Sequence, residues 1–142
     1  MFIVNVEGAI FHEGKWLLIK RGQNEDHAPG ALSLIGGKVD IEGATYDILE
    51  KTLKREVFEE VGVTIKDEMK YVYSSSFIAD DHTAVINIVF LCEIEQGEPY
   101  QKSSEEVEEI LWLSTDEVLG RIESPPWLKE SITRANKLLN KD

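Results

Sequence analysis

The stretch "LKREVFEEVG", Leu53 to Gly62, gathers Arg55, Glu56, Glu59 and Glu60 within ten residues. Leu49, Leu53, Val57 and Val61 recur at every fourth position, the apolar stripe of an amphipathic helix. The spacing predicts a helix over 46–61, with Thr45 as N-cap, Asp47 in the first turn and Gly62 just past the end. At about 100° per residue, Glu56, Glu59 and Glu60 fall within an arc of roughly 100° beside that stripe. Arg55 stands one turn before Glu59 and can hold it as an i,i+4 ion pair. Two carboxylates ~6 Å apart repel by about 3 kcal/mol at an effective dielectric of ~20. Three in one arc either take up protons or bind a cation, and oxygen-only ligands favour Mg²⁺, or Mn²⁺, over zinc. A solvated helix face is the plain alternative. Against it, the acids are not interleaved with exposed lysines, and the upstream pair Gly36-Gly37 lets backbone approach a metal or phosphate closely.

The rest of the chain supplies the frame. "FIVNVEGAIF" and "KWLLIKR" read as strands joined by a turn at "HEGK", and "GQNEDHAPGA", with His27, as a loop. A short strand "LSLI" leads into the glycine pair. After the helix, "MKYVYSSSFIA" and "TAVINIVFLCEI" read as strands around the turn "DDH", with His82; the second, apolar on both faces, is expected to be central. "GEPYQKSSEEVEE" reads as an acidic loop, "ILWLS" as a strand, "STDE" as a capping box, and "WLKESITRANKLL" as a closing helix after "SPP". This order predicts one domain over 1–142, of α+β class with a mixed or largely antiparallel sheet.

Formal charge is −12, from 27 acidic and 15 basic residues. That balance opposes non-specific binding to nucleic acid or anionic lipid, yet leaves room for a small phosphorylated ligand once a cation reverses the local sign. Cys92 is the only cysteine, in an apolar run, so it reads as a buried strand thiol and the chain suits a reducing compartment. The start carries Glu7 and no basic segment, which makes it a strand and not a signal peptide. No run approaches the ~20 apolar residues of a membrane span, and a cytoplasmic setting is expected.

The sequence "REVFEEVGV", Arg55 to Val63, resembles the second half of the Nudix box, signature of the Nudix hydrolase family, at every position. "IGGKVD" resembles the box's glycine opening, with Gly37 as its first Gly. The hairpin before the box and "ILWLSTDEV" after it are also similar to the family. Gly37 and Arg55 are eighteen positions apart, about four more than in the family pattern, so either Glu42 or Asp47 stands for the first box Glu. The resemblance implies a Nudix fold: an α/β/α sandwich around a mixed sheet, with the box as loop–helix–loop. It implies Mg²⁺-dependent cleavage of a pyrophosphate bond in a nucleoside diphosphate linked to another moiety. In that reading Glu56, Glu59, Glu60 and the Gly37 carbonyl hold the metal, and Arg55 orients Glu59. Glu56, Glu59 or a loop acid deprotonates the attacking water.

The family often adds an acid from a later loop, for which Glu105, Glu106, Glu108 and Glu109 are the choices here. Lys20 and Arg21 end the first hairpin and could meet phosphate or be plain surface charge. Trp16, Trp112 and Trp127 could stack on a base but are read as packing residues, and neither His27 nor His82 is given a catalytic role. Nucleoside triphosphates, ADP-ribose, dinucleoside polyphosphates and nucleotide sugars all fit the box, with a slight lean to triphosphates; a homodimer fits the family. A catalytically silent nucleotide-binding module is the alternative function, although no box glutamate is missing. An unrelated acidic metal-buffering domain would require the box match to be coincidence.

Overall fold

The computed structural model describes residues 1–24 and 28–141, so His27 and its predicted loop position lie outside the described residues. β1 (Phe2–His12) passes through Glu13 and Gly14, both at positive φ, into β2 (Lys15–Arg21). A two-residue turn of this kind matches the twist of the strands it joins. β3 (Leu32–Ser33), β4 (Ile35–Lys38) and α1 (Ile48–Val61) follow, then β5 (Thr64–Ile65), β6 (Lys70–Ile78), β7 (Ala84–Cys92) and β8 (Ile94–Gln96). β9 (Val107–Leu113), α2 (Thr115–Gly120) and α3 (Pro126–Leu139) complete the chain. The main sheet runs β3-β2-β1-β7-β6, with β4 also on β1 and β9 also on β2; β5 and β8 form a separate small ladder. β1 and β7 are parallel and the other pairs antiparallel, so the sheet is mixed, as predicted.

Alternation along β1 divides the core in two. Val6 and Ile10 pack on one face with Leu53, Val57 and Val61 of α1, all fully buried. Ala9 turns to the other face, against Leu128, Ile132 and Ala135 of α3. Helices on both faces make the α/β/α sandwich. The predicted capping box at Ser114 is present, with Ser114 Oγ accepting from the Glu117 amide and Glu117 Oε1 from the Ser114 amide.

Three expectations need correction. α1 begins at Ile48, because Asp47 takes a left-handed conformation (φ 57°) and starts the helix without a side-chain cap. Thr45 Oγ1 instead accepts a 2.7 Å hydrogen bond from Lys51 Nζ. Gly36 and Gly37 sit in strand β4, paired with Glu7 and Val6, and not in a loop. β9 starts three residues before the predicted strand, so Glu108 and Glu109 are strand residues. No helix among the described residues is long and apolar enough to cross a membrane.

Candidate active site

Helix α1 packs over β4, and its Glu56 carboxylate meets Gly37 there. A methyl group added at Gly37 would overlap the Glu56 carboxyl group and come within 2.7 Å of Glu56 Cγ. Gly37 therefore keeps bare backbone directly against that carboxylate. Burial pushes the Glu56 carboxyl above the usual carboxylate range; Arg55 opposes the rise, while the charges of Glu59, Glu106 and Asp40 add to it. Those contributions mark the acids gathered around Glu56.

Arg55 is the cation among them. Its guanidinium lies 3.4 Å from Glu59 Oε2, 3.6 Å from Glu56 Oε1 and 3.6 Å from Asp40 Oδ2. The expected i,i+4 pair with Glu59 is present, and Arg55 also spans to Glu56. Its loop partner is Asp40, the acid two residues after β4, rather than Glu42 or Asp47. Glu59 is exposed and Glu60 is buried.

The later loop docks on the end of α1. The Tyr100 amide donates to the Val61 carbonyl at 3.0 Å, and the Ser103 amide to the Glu60 carbonyl at 3.3 Å. Gly62, left-handed at φ 73°, leaves room for the Tyr100 ring, which a methyl group there would overlap. Farther on, the Gly22 amide donates to the Glu106 carbonyl at 3.1 Å. This docking carries Glu106 into a cavity of about 220 Å³ lined also by Gly36, Gly37, Glu60, Arg21, Glu7 and Asn5. Of the four later acids, Glu106 is the one that reaches the α1 carboxylates. Glu108 instead pairs with Lys20 across the sheet at 3.3 Å, which leaves Arg21 as the hairpin cation that lines the cavity.

The donor set is wholly oxygen and carries several negative charges on facing elements, chemistry that suits a hard divalent cation. Among the described residues, no three carboxylate, thiolate or imidazole side chains are drawn together tightly enough to enclose an ion. Trp16 is a packing residue as expected, fully buried, with Nε1 donating to Thr115 Oγ1 at 2.9 Å. Trp127 departs from the expectation: it is about half exposed (51%) and lines a second, larger cavity of about 880 Å³ on the α3 face. Asn5, Glu7 and Asn87, polar residues within apolar strands, also line it and were missed in the sequence. Their signal was the break in the apolar runs "FIVNVEGAIF" and "AVINIVFLC".

A family model for the NUDIX domain matches residues 1–135. Among solved structures, the MutT NUDIX hydrolase from Burkholderia pseudomallei is similar at TM-score 0.79 and 23% identity, over 94% of this chain and 98% of that one. The MutT protein from Methanosarcina mazei Go1 is similar at TM-score 0.80 and 26% identity, over 99% of this chain and 96% of that one. The NUDIX domain of Shewanella oneidensis NrtR, crystallised with ADP ribose, is similar at TM-score 0.76 and 18% identity, over 99% and 90% of the two chains. No curated protein matches the chain. With its signature helix, its α/β/α sandwich and a family match along nearly its whole length, the chain belongs to the NUDIX family, as a Nudix hydrolase acting on phosphoric anhydride bonds.

Proposed function

We propose that the chain is an Mg²⁺-dependent pyrophosphohydrolase that cleaves the diphosphate bond of a nucleoside diphosphate linked to another moiety, with nucleoside triphosphates the leading substrates. The observation that carries this reading is Gly37, whose backbone lies against the Glu56 carboxylate and also lines a cleft with Glu60, Glu106 and Arg21. Glu56, Glu59, Glu60 and the Gly37 carbonyl are the groups that would hold the cation, with Glu106 as the added acid. When bound, the cation supplies Lewis-acid neutralisation of the diphosphate charge. Arg55 fixes the Glu59 and Glu56 carboxylates and is a positioning residue. Glu56, raised by burial, is suited to accept a proton from an attacking water. Arg21, on the cavity wall, is suited to neutralise a substrate phosphate.

The test is a phosphate-release screen with Mg²⁺ and coupled phosphatases. It covers nucleoside triphosphates, ADP-ribose, dinucleoside polyphosphates and nucleotide sugars, and compares wild type with Glu60→Gln. Turnover of one class, lost in the variant, supports the reading and names the substrate. Tight nucleotide binding with no turnover of any class replaces it with the silent binding module.

A further inference from the structure

In the main sheet β3, β4, β6 and β9 each pair with one strand, which leaves each an outer edge with no strand partner among the described residues. Such edges invite pairing with another chain, and proteins blunt them by shortness, charge or a bulge. β3 and β4 have two and four residues, and β9 carries Glu108 and Glu109. β6 has nine residues, and its two defences crowd one end: Lys70 is its only charge, and its bulge lies between Tyr71 and Tyr73. The remainder, Tyr73 to Ile78, is uncharged in a chain of which 30% of residues are charged. All of it except Tyr73 is exposed, Ile78 to 65%. An uncharged, exposed edge of this length is a docking strand left open.

We infer that β6 pairs antiparallel with β6 of a second copy of this chain, about a twofold axis at Ser75, so that the two sheets become one. The strand is complementary to itself in that register. Ser75 faces its own copy and Ser74 faces Ser76, small side chains that allow close approach and cross-strand hydrogen bonds. Tyr73 stands opposite Phe77 on one face of the sheet, and Val72 opposite Ile78 on the other. Lys70 of each copy comes beside Asp80 and Asp81, exposed acids in the turn that follows the strand, so the charges complement each other twice. Both open edges are consumed by the one contact, and the assembly closes at two copies. Ser75, Ser76, Phe77 and Ile78 alternate between the two faces of the sheet yet all line the 880 Å³ cavity, which therefore reaches the outer edge of β6. The second copy's β6 walls the cavity on that side, so it is complete only in the dimer.

Sedimentation velocity over about 1–100 µM protein tests the inference. The expected species has twice the 16.1 kDa mass of the chain and dissociates on dilution. Ser75→Glu sets like charges opposite each other at the axis and should weaken association by about tenfold or more. Ser75→Cys should give a disulfide-linked dimer when oxidised with diamide, because the only native cysteine, Cys92, is buried and does not compete. Glu98→Cys, exposed on the loop after β8, should stay monomeric under the same treatment. A wild-type protein that is monomeric throughout, or a dimer that Ser75→Glu leaves intact, would overturn the inference. If Ser75→Glu does not fold, the cysteine pair decides: equal cross-linking of both variants, or none at Ser75→Cys, overturns it.

Discussion

Adjacent glycines in β4 should fail in opposite ways when each is replaced by alanine. Neither has a positive φ, so the backbone conformation itself accepts alanine and the outcome depends on what the new methyl meets. At Gly36 it would overlap the Val6 carbonyl oxygen and lie 2.8 Å from Glu7 Cα and 2.9 Å from the Val6 carbonyl carbon, all backbone of the central strand. Relief requires β4 to move off β1, and overpacking of this kind costs about 3 kcal/mol. At Gly37 it would overlap only the Glu56 side chain, which can rotate away for about 1 kcal/mol of rotamer strain. At roughly 4 °C per kcal/mol for a domain of this size, Gly36→Ala should lower Tm by ~12 °C and Gly37→Ala by ~4 °C. Turnover should invert that order for equal amounts of folded protein. Gly37→Ala displaces a carboxylate from the site and should lose about 100-fold or more in kcat/KM, equivalent to ~2.7 kcal/mol of barrier. Thermal melts by circular dichroism and steady-state kinetics at a temperature where both variants are folded measure the two effects. A Gly37→Ala protein with wild-type turnover would refute the argument that this glycine exists to admit Glu56.

Other perturbations separate the roles of the acids. Glu59→Gln and Glu60→Gln should each cut turnover by about 100-fold or more at unchanged far-ultraviolet dichroism; wild-type kinetics in both would dismiss the assigned set. Arg55→Ala breaks three ion pairs at once and should lower turnover with a smaller loss of Mg²⁺ affinity, and unchanged kcat would rule out its orienting role. Burial raises the Glu7 carboxyl, with the Asn87 bond and Arg21 opposing, so the folded state keeps that proton to higher pH than the unfolded chain. Stability contributed by this group is thus lost as pH climbs from the ordinary glutamate value through the raised one. Glu7→Gln should gain stability over wild type near neutral pH but not below about pH 4 in urea melts, and an equal difference at both would exclude the linkage. The Cys92 thiol is buried and pushed up to about 12 by that burial, so a disulfide reagent near pH ~8 should label it only after unfolding. Rapid labelling of native protein would contradict the buried placement.

What the sequence determined by itself was local. The four-residue spacing of Leu49, Leu53, Val57 and Val61 fixes the side of α1 that is buried, and so places Glu56, Glu59 and Glu60 beside it. Gly62 as the helix stop and the capping box at Ser114 follow from neighbours three or four residues apart. So does the Arg55–Glu59 pair. Only the tertiary structure decided which distant groups join them. Asp40 rather than Glu42 or Asp47 meets Arg55, because the longer segment between β4 and α1 shifts the register that sequence spacing relies on. Glu106 is chosen among four similar acids by the docking of its loop on the ends of α1 and the first hairpin. Asn5, Glu7 and Asn87 meet only because β1 and β7, about 80 residues apart in the chain, pair in parallel. A helix turn brings together residues that sequence spacing already names, whereas strand pairing and loop docking join residues whose separation along the chain carries no trace of their contact.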